Sequence, residues 1–494
     1  MKKIATLLLA IATVATASAG GLMTNSNQSA AFLRSIARGT TLDTDAVYNN
    51  PAGTVFMTDG WHFGINNQMA YQTRSTDSSY ALFRYGANNG NMAALDDKGY
   101  LTYLPKTFEG EVFSPVIPSF HLTWKKDRVA VMVGMGVNGG GGSLEYNDGL
   151  ASFERMFAAL PAGMQQLGIP ATQYDLDMYL KGSSMTLAFN VGAAYRLTDW
   201  LSVAAMVRLG VTSNSYEGHL KNINVNVGGQ MTPATQLFAG AYSQLEAQMN
   251  AAVGAYGPGF LTSADGQKLA AAMATVKENQ IKTMNHTLDV KQTGYSVSPV
   301  VALYAQKNGW AASVKYEFKM ATELEIESAM VSAADPVING LFPNGEKVKA
   351  ETPALLAVAL SRQFGDVKVT AEWHEYFDKD AENSFSQTVE GNTMEYLLGA
   401  EWQINDKWLV SCGVQRTQYD LDENAYSDMN FSTPSWSTGI GVAYNITEKL
   451  RLNAGVMPTF YEDVTSVGQQ NGVDFKDVYK RTSISWGLGL DFKF

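Results

Sequence analysis

Apolar and polar positions alternate with a period of two along most of this chain, most cleanly at its end. Trp486, Leu488, Leu490, Phe492 and Phe494 fall on one face of an extended strand; Gly487, Gly489, Asp491 and Lys493 fall on the other. The same period recurs upstream. Val129, Val131, Val133, Met135 and Val137 oppose Gly134, Gly136 and Asn138, and Leu201, Val203, Ala205, Val207 and Leu209 oppose Ser202 and Arg208. Trp310, Ala312, Val314, Tyr316 and Phe318 oppose Lys315, Glu317 and Lys319. Short polar turns at 125–128, 198–199, 307–309, 365–366, 405–407 and 447–449 separate such runs, which is the hairpin signal. Counting outward from these six turns predicts twelve strands, and one more at each end makes fourteen. They are expected near 61–72, 115–125, 128–138, 184–197, 200–213, 290–306, 310–321, 352–364, 367–377, 393–404, 408–418, 434–446, 450–461 and 480–494.

Segments that alternate in this way, with charged residues on one face, suit a closed barrel in a membrane. Trp124, Trp200, Trp310, Trp402 and Trp408 cluster beside the short turns and predict an aromatic girdle at one interface. The terminal stripe resembles the C-terminal signature of bacterial outer-membrane barrels, so Trp486, Phe492 and Phe494 are the expected assembly signal, with the barrel assembly machinery as partner. Residues 1–19 read as a secretory signal peptide: Lys2 and Lys3, an apolar run from Ile4 to Val14, and Ala17-Ser18-Ala19 for cleavage. No Cys follows that site, which argues against lipidation, and no later apolar run reaches the about 18 residues of a spanning helix. An even strand count places both termini on the periplasmic side with the short turns, and the longer connections outside. Two of these, 139–183 and 214–289, carry stretches such as Leu237 to Gly254 and Gln267 to Lys282 that read as helices. Loops of that length are usually functional.

Composition changes this picture little. Without Lys2 and Lys3 the chain has 34 basic and 47 acidic residues, which disfavours nucleic-acid partners and suits a surface facing divalent ions and lipopolysaccharide. The lone Cys412 excludes an intramolecular disulfide. No linker or low-complexity tract divides the chain, so a monomeric barrel over 61–494 is expected, with residues 20–60 as a separate segment.

That segment does not alternate, begins on the periplasmic side and is long enough to fold into the lumen. It contains Thr40-Thr-Leu-Asp-Thr-Asp-Ala-Val-Tyr-Asn-Asn-Pro-Ala-Gly53. Asn50, Pro51, Ala52 and Gly53, standing about 30 residues after the signal peptide and just before the first strand, resemble the hatch motif of the FadL/TodX family of outer-membrane transporters. The stretches 118–136 and 190–202, and Glu351-Thr-Pro353 leading to Glu372-Trp373, are similar to later hairpins of that family. The resemblance covers nearly the whole chain after the signal peptide, least securely at 214–289. It implies a barrel in the bacterial outer membrane, plugged by an N-terminal hatch. Long-chain fatty acids or aromatic hydrocarbons would be taken up passively and released sideways through a gap in the wall.

The residues offer a place for such a gap. A tight turn at Lys126-Asp127 would set Pro118 opposite about Met135 and Pro115 opposite Asn138. Proline gives no ladder donor, and Gly134, Gly136, Gly139 and the glycines after it bend without steric cost. A carboxylate cargo needs a cationic partner, for which Arg34, Arg38, Arg196 and Arg208 are the candidates. The sequence does not separate the two cargo classes. It holds no Gly-x-Ser-x-Gly or His-Glu-x-x-His, so neither catalysis nor a cofactor is expected. Of five histidines, His62, His121 and His374 alternate into the lumen, where solvated side chains are expected. The other reading is a structural or adhesive barrel whose long loops bind an external surface; a lumenal hatch speaks against it.

Overall fold

The computed structural model describes residues 28–89, 92–95, 98–99, 101–166, 169–382, 389–422 and 426–494; the expected signal peptide and the first part of the expected hatch lie outside them. Fourteen strands form the wall. They are β1 (Gly60–Tyr80), β2 (Lys106–Lys126), β3 (Val129–Tyr146), β4 (Ala171–Arg196), β5 (Leu201–Val227), β6 (His286–Lys307) and β7 (Trp310–Glu317, resuming as Glu323–Ser328). The second half is β8 (Leu355–Phe364), β9 (Val367–Tyr376), β10 (Thr393–Gln403), β11 (Trp408–Gln418), β12 (Ser435–Thr447), β13 (Leu450–Tyr461) and β14 (Val473–Lys493). Each pairs antiparallel with the next, and β14 closes on β1 from His62↔Lys493 to Tyr80↔Phe475. The result is a closed fourteen-stranded antiparallel barrel.

Closure leaves an apolar outer face with no protein partner. Ile65, Val207, Leu303, Leu398, Ile440 and Leu488 are all exposed on it. A continuous belt of this kind belongs in hydrocarbon rather than water. Trp61, Trp200, Trp310, Trp402 and Trp408 ring the end that carries the six short turns, each about half exposed. None of the described helices is long and apolar enough to cross a membrane; the strands do so.

Every expected strand is present, but the first six run well past a membrane span. The expected loops at 139–183 and 214–289 begin and end as strand: β3 continues to Tyr146, β4 starts at Ala171, β5 continues to Val227 and β6 starts at His286. Outside hydrocarbon the ladder persists while the outward positions turn polar, so the period-two signal fades before the strand does. Between them lie helices α3 (Ala151–Ala158) and α4 (Leu160–Gln166), then α5 (Ala234–Tyr256) and α6 (Ala264–Lys282), the last pair over the stretches expected to be helical. Two shorter helices, α1 (Ala30–Ser35) and α2 (Ala46–Asn49), lie in the N-terminal segment; α7 (Met330–Ala334) and α8 (Pro336–Leu341) follow β7.

The chain end is bound as its pattern predicts. The Phe494 N–H donates to Trp61 O at 2.9 Å, and the Trp61 N–H donates to Phe494 O at 3.1 Å. Phe492 stacks on Phe63 at 6.0 Å, and Trp486 on Phe113 at 6.3 Å. Deleting Phe494 removes the last rung of closure, about 0.5–1.5 kcal/mol for each hydrogen bond. We expect less heat-modifiable barrel in the membrane fraction and unchanged activity per assembled barrel. Normal assembly with lost activity would contradict this.

Candidate functional site

Residues 28–57 lie inside the barrel and are almost entirely buried. Helix α1 is capped by Ser29, whose hydroxyl accepts from the Phe32 N–H at 3.1 Å. It rests on a part of the wall where inward positions carry no side chain. Gly399, Gly413 and Gly439 are successive cross-strand neighbours on β10, β11 and β12, and Gly441, Gly455 and Gly487 continue the row to β14. A Cβ on Gly455 would stand 2.7 Å from the Arg34 backbone nitrogen, and one on Gly439 would stand 2.6 Å from Leu33 O. Only a glycine groove lets this helix backbone meet the sheet backbone.

Beyond the helix, charge takes over. Arg34 Nη1 reaches Glu401 at 2.6 Å; Arg38 binds Asp45, Asp43 and Glu401 at 2.8–2.9 Å; Arg451 meets Asp43 at 3.0 Å. Burial alone would raise the Asp43 pKa, but Arg451, Arg38 and Arg34 hold its carboxyl well below the usual range. Lys368 donates to Thr40 O, and the Gly39 N–H donates to Glu372, both at 2.8 Å. Arg208 pairs with Glu317 and lies under the Tyr48 ring at 4.8 Å. Arg34, Arg38 and Arg208 are therefore committed to carboxylates within the protein. Arg196 stands apart near the short-turn end, 6.0 Å from the Phe56 ring. The four arginines singled out in the sequence do not form one site.

Asn50, Pro51, Ala52 and Gly53 start a 3-10 helix, Pro51–Phe56. The Asn50 side chain accepts from the Gly53 N–H at 3.2 Å and donates to Thr41 O at 2.9 Å. It folds over residue 53 so closely that a Cβ there would collide with the Asn50 amide. Ser202 on β5 donates to Ala52 O at 2.6 Å, and Ala52 and Val55 pack on Ala130, Met132, Ala204 and Ala302. The four motif residues thus fasten the segment to β3–β6, opposite the glycine groove that holds α1.

The wall itself is interrupted. β2 and β3 pair from Lys126↔Val129 to Phe120↔Met135 and again at Glu111↔Glu145, while residues 112–119 and 136–144 make no ladder pairs with each other. Pro115, Pro118, Gly136 and Gly139 lie in that stretch. Gly134 does not: it pairs with His121, and its inward side faces Val47. The turn is Asp127-Arg128, with Asp127 at φ 54, so the register differs by two from a turn at Lys126-Asp127. β3 stays paired with β4 through irregularities at Val137/Gly139 and Gly140/Gly142, where Gly140 and Gly141 have φ of 71 and 109. These bulges turn β3 away from β2. Some freed backbone groups are satisfied from β1: the Ile117 N–H donates to Asn67 Oδ1, and Asn67 Nδ2 donates to Pro115 O, both at 3.2 Å.

Gln28 crosses the interruption from inside. Its backbone oxygen accepts from the Ser119 hydroxyl on β2, its side-chain nitrogen donates to Val137 O on β3 at 3.0 Å, and its amide fills the space a Cβ on Gly136 would need. Sequence reading missed Gln28 and the glycine groove. The groove had a signal, inward glycines at matching heights on five strands; Gln28 had none.

Toward the long-loop end the lumen is apolar. Phe153 of α3, Met178 and Leu180 of β4, Leu288 of β6 and Ile338 and Leu341 of α8 line a small cleft of about 80 Å³. Leu180, Leu288, Ile338 and Leu341 belong to one buried cluster with Leu144, Tyr146 and Val112, and Val112 is the first residue of the unpaired stretch of β2. One packed apolar cluster therefore extends from beside the cleft to the edge of the interruption. Of the lumenal histidines His62 and His121 are buried, and His374 is partly buried and bound to carboxylates. His374 lies between Glu372 and Glu395 at 2.7 and 2.9 Å, His62 meets Thr58 O at 2.8 Å, and neither ring nitrogen of His121 has a partner. Among the described residues no group of three His, Cys, Asp or Glu side chains is placed to hold a metal ion.

Neither a protein-family model nor a curated protein matches the sequence. Solved structures do match in shape. A FadL homologue of Pseudomonas aeruginosa, 12% identical, aligns over 96% of this chain and 100% of its own with a TM-score of 0.58. The toluene transporter TodX of Pseudomonas putida, 14% identical, aligns over 92% and 95% with a TM-score of 0.50. A closed fourteen-stranded barrel enclosing an N-terminal segment, aligned with these two over nearly its whole length, has the fold of the FadL/TodX transporters.

Proposed function

We propose that this protein is an outer-membrane transporter that takes up hydrophobic small molecules, of the class of long-chain fatty acids or aromatic hydrocarbons, by passive diffusion. The carrying observation is the β2–β3 interruption of the wall, which one packed apolar cluster links to the loop-end cleft. Cargo enters between α3, β4 and α8, crosses the cluster, and leaves sideways between residues 112–119 and 136–144. The N-terminal segment is the hatch. Gln28, bridging Ser119 and Val137, closes the exit until that end of the segment moves. The long loops and α5–α6 face the cell exterior, and both chain ends face the periplasm. The fold shared with a FadL homologue and with the toluene transporter TodX supports the reading.

Uptake of a labelled hydrophobic compound by cells that carry or lack the protein tests this directly; equal uptake would overturn it. Asn50→Ala refines the test. The substitution removes the cap on Gly53 and the bond to Thr41, about 1 kcal/mol of local stability, far too little to unfold the barrel. We expect a normally assembled barrel with uptake lowered several-fold, because the hatch loses its seating on β3–β6. Wild-type uptake would take the motif out of the gating step.

A further inference from the structure

Arg74 points into the lumen from β1 and is fully buried. Its Nη2 donates to Phe431 O at 3.2 Å and its guanidinium lies 4.9 Å from the Phe431 ring centre, while Nε and Nη1 have no hydrogen-bond partner. No described carboxylate pairs with it, whereas Arg34, Arg38, Arg155 and Arg208 each face one. The residue across the β1–β14 ladder is Arg481, of the same sign, which donates to Gln72 Oε1 at 2.8 Å. Gln72 Nε2 is a further buried donor without an acceptor. A guanidinium in this setting is costly to bury unless an anion completes it.

Two neighbours describe the rest of such a ligand. Gln72 stands beside Val112 in the β1–β2 ladder, so Arg74 lies only about 7 Å along the strand from the apolar cluster that borders the interruption. The other neighbour is the connection between β11 and β12, whose residues Asp428, Phe431, Ser432 and Thr433 are folded into the barrel and buried. Residues 428–433 form neither helix nor strand. Asp428 accepts from the Ser152 N–H at 2.6 Å, and Phe431 covers Arg74.

We infer that Arg74 is an anion-binding site for the carboxylate head of an amphiphile whose chain lies on Val112, Leu144 and Tyr146, and that residues 428–433 are the cap this head group displaces. The Phe431 carbonyl oxygen stands where a carboxylate oxygen would accept from the guanidinium, and the unpartnered Nε and Nη1 supply further donors. The site rests on the transport reading and narrows it to anionic cargo.

Equilibrium binding of radiolabelled dodecanoate and of dodecanol to the full barrel in nonionic detergent separates head from chain. Arg74→Gln should weaken dodecanoate binding by about tenfold or more, the loss of a charge-assisted hydrogen bond, and leave dodecanol within about twofold. Arg74→Lys should restore part of the difference, and Phe431→Ala should tighten dodecanoate alone. If Arg74→Gln weakens both ligands equally, or Phe431→Ala changes neither, the head-group site is wrong while hydrophobic transport stands. If the wild-type barrel binds neither ligand, the site is overturned, and the transport reading stands or falls on the uptake comparison.

Discussion

A short bis-maleimide joining Val116→Cys to Gly139→Cys, in a Cys412→Ser background, is expected to stop uptake while leaving cargo bound in the barrel. Both positions lie in the stretch where β2 and β3 do not pair, and Val116 is exposed on the lipid side. Cargo that passes directly from the lumen into hydrocarbon never exposes its chain to water. Denied that exit, it must leave through the aqueous end of the barrel at about 0.8 kcal/mol for each CH₂. For a chain of about ten carbons, that penalty lowers the rate by several orders of magnitude. Uptake assayed before and after cross-linking, with bound cargo measured on the same purified barrel, decides the matter. Transport at the original rate through a bridged wall would show that the interruption is not the exit.

Gly439→Val together with Gly455→Val should convert the plugged barrel into a leaky one. A Cβ on Gly455 already lies 2.7 Å from the Arg34 nitrogen, and one on Gly439 lies 2.6 Å from Leu33 O. Neither obstacle is the free end of a flexible chain. Overpacking of this kind costs about 1–3 kcal/mol at each position, and displacing α1 would also pull Arg34 from Glu401, where breaking a buried pair costs about 3–5 kcal/mol. The wall gains two β-branched residues in strand positions that suit them, so the barrel should still assemble. Small sugars should then swell proteoliposomes of the double variant and leave those of the wild-type barrel unswollen. Tight proteoliposomes containing a correctly assembled double variant would refute the idea that the glycine groove seats the plug.

The sequence revealed the wall better than its contents, for physical reasons. An alternating strand reports its own burial residue by residue, so runs such as Val129 to Val137 and Trp486 to Phe494 identified themselves. Where β4 and β5 leave the membrane, polar residues such as Asn214 and Glu217 appear on both faces, and the pattern no longer distinguishes strand from loop. The prolines and glycines of the interruption were visible because they break a local rule; the two-residue shift in register was not, because turn position depends on Asp127 adopting a positive φ. The arginines show the deeper limit. Arg34 and Arg208 looked available, yet their partners Glu401 and Glu317 lie hundreds or about a hundred residues away in the chain. Arg74 lay beyond the expected end of the first strand, at residue 72, and drew no attention. Charge balance in a lumen is a property of the closed barrel, and no local window contains it.

The glycine groove also constrains how the chain reaches this state. Helix α1 is the first of the described elements, but the strands that hold it, β10 to β14, are the last, and the Arg34–Asn453 bond spans 419 residues. Contacts of such separation form late, because the intervening chain must be ordered first. The start of the chain must therefore wait, loosely held by the β3–β6 side through Ala52 and Val55, until the far wall arrives around it. Closing β14 on β1 then becomes the same event as enclosing the helix, and the seam that completes the barrel traps its own plug.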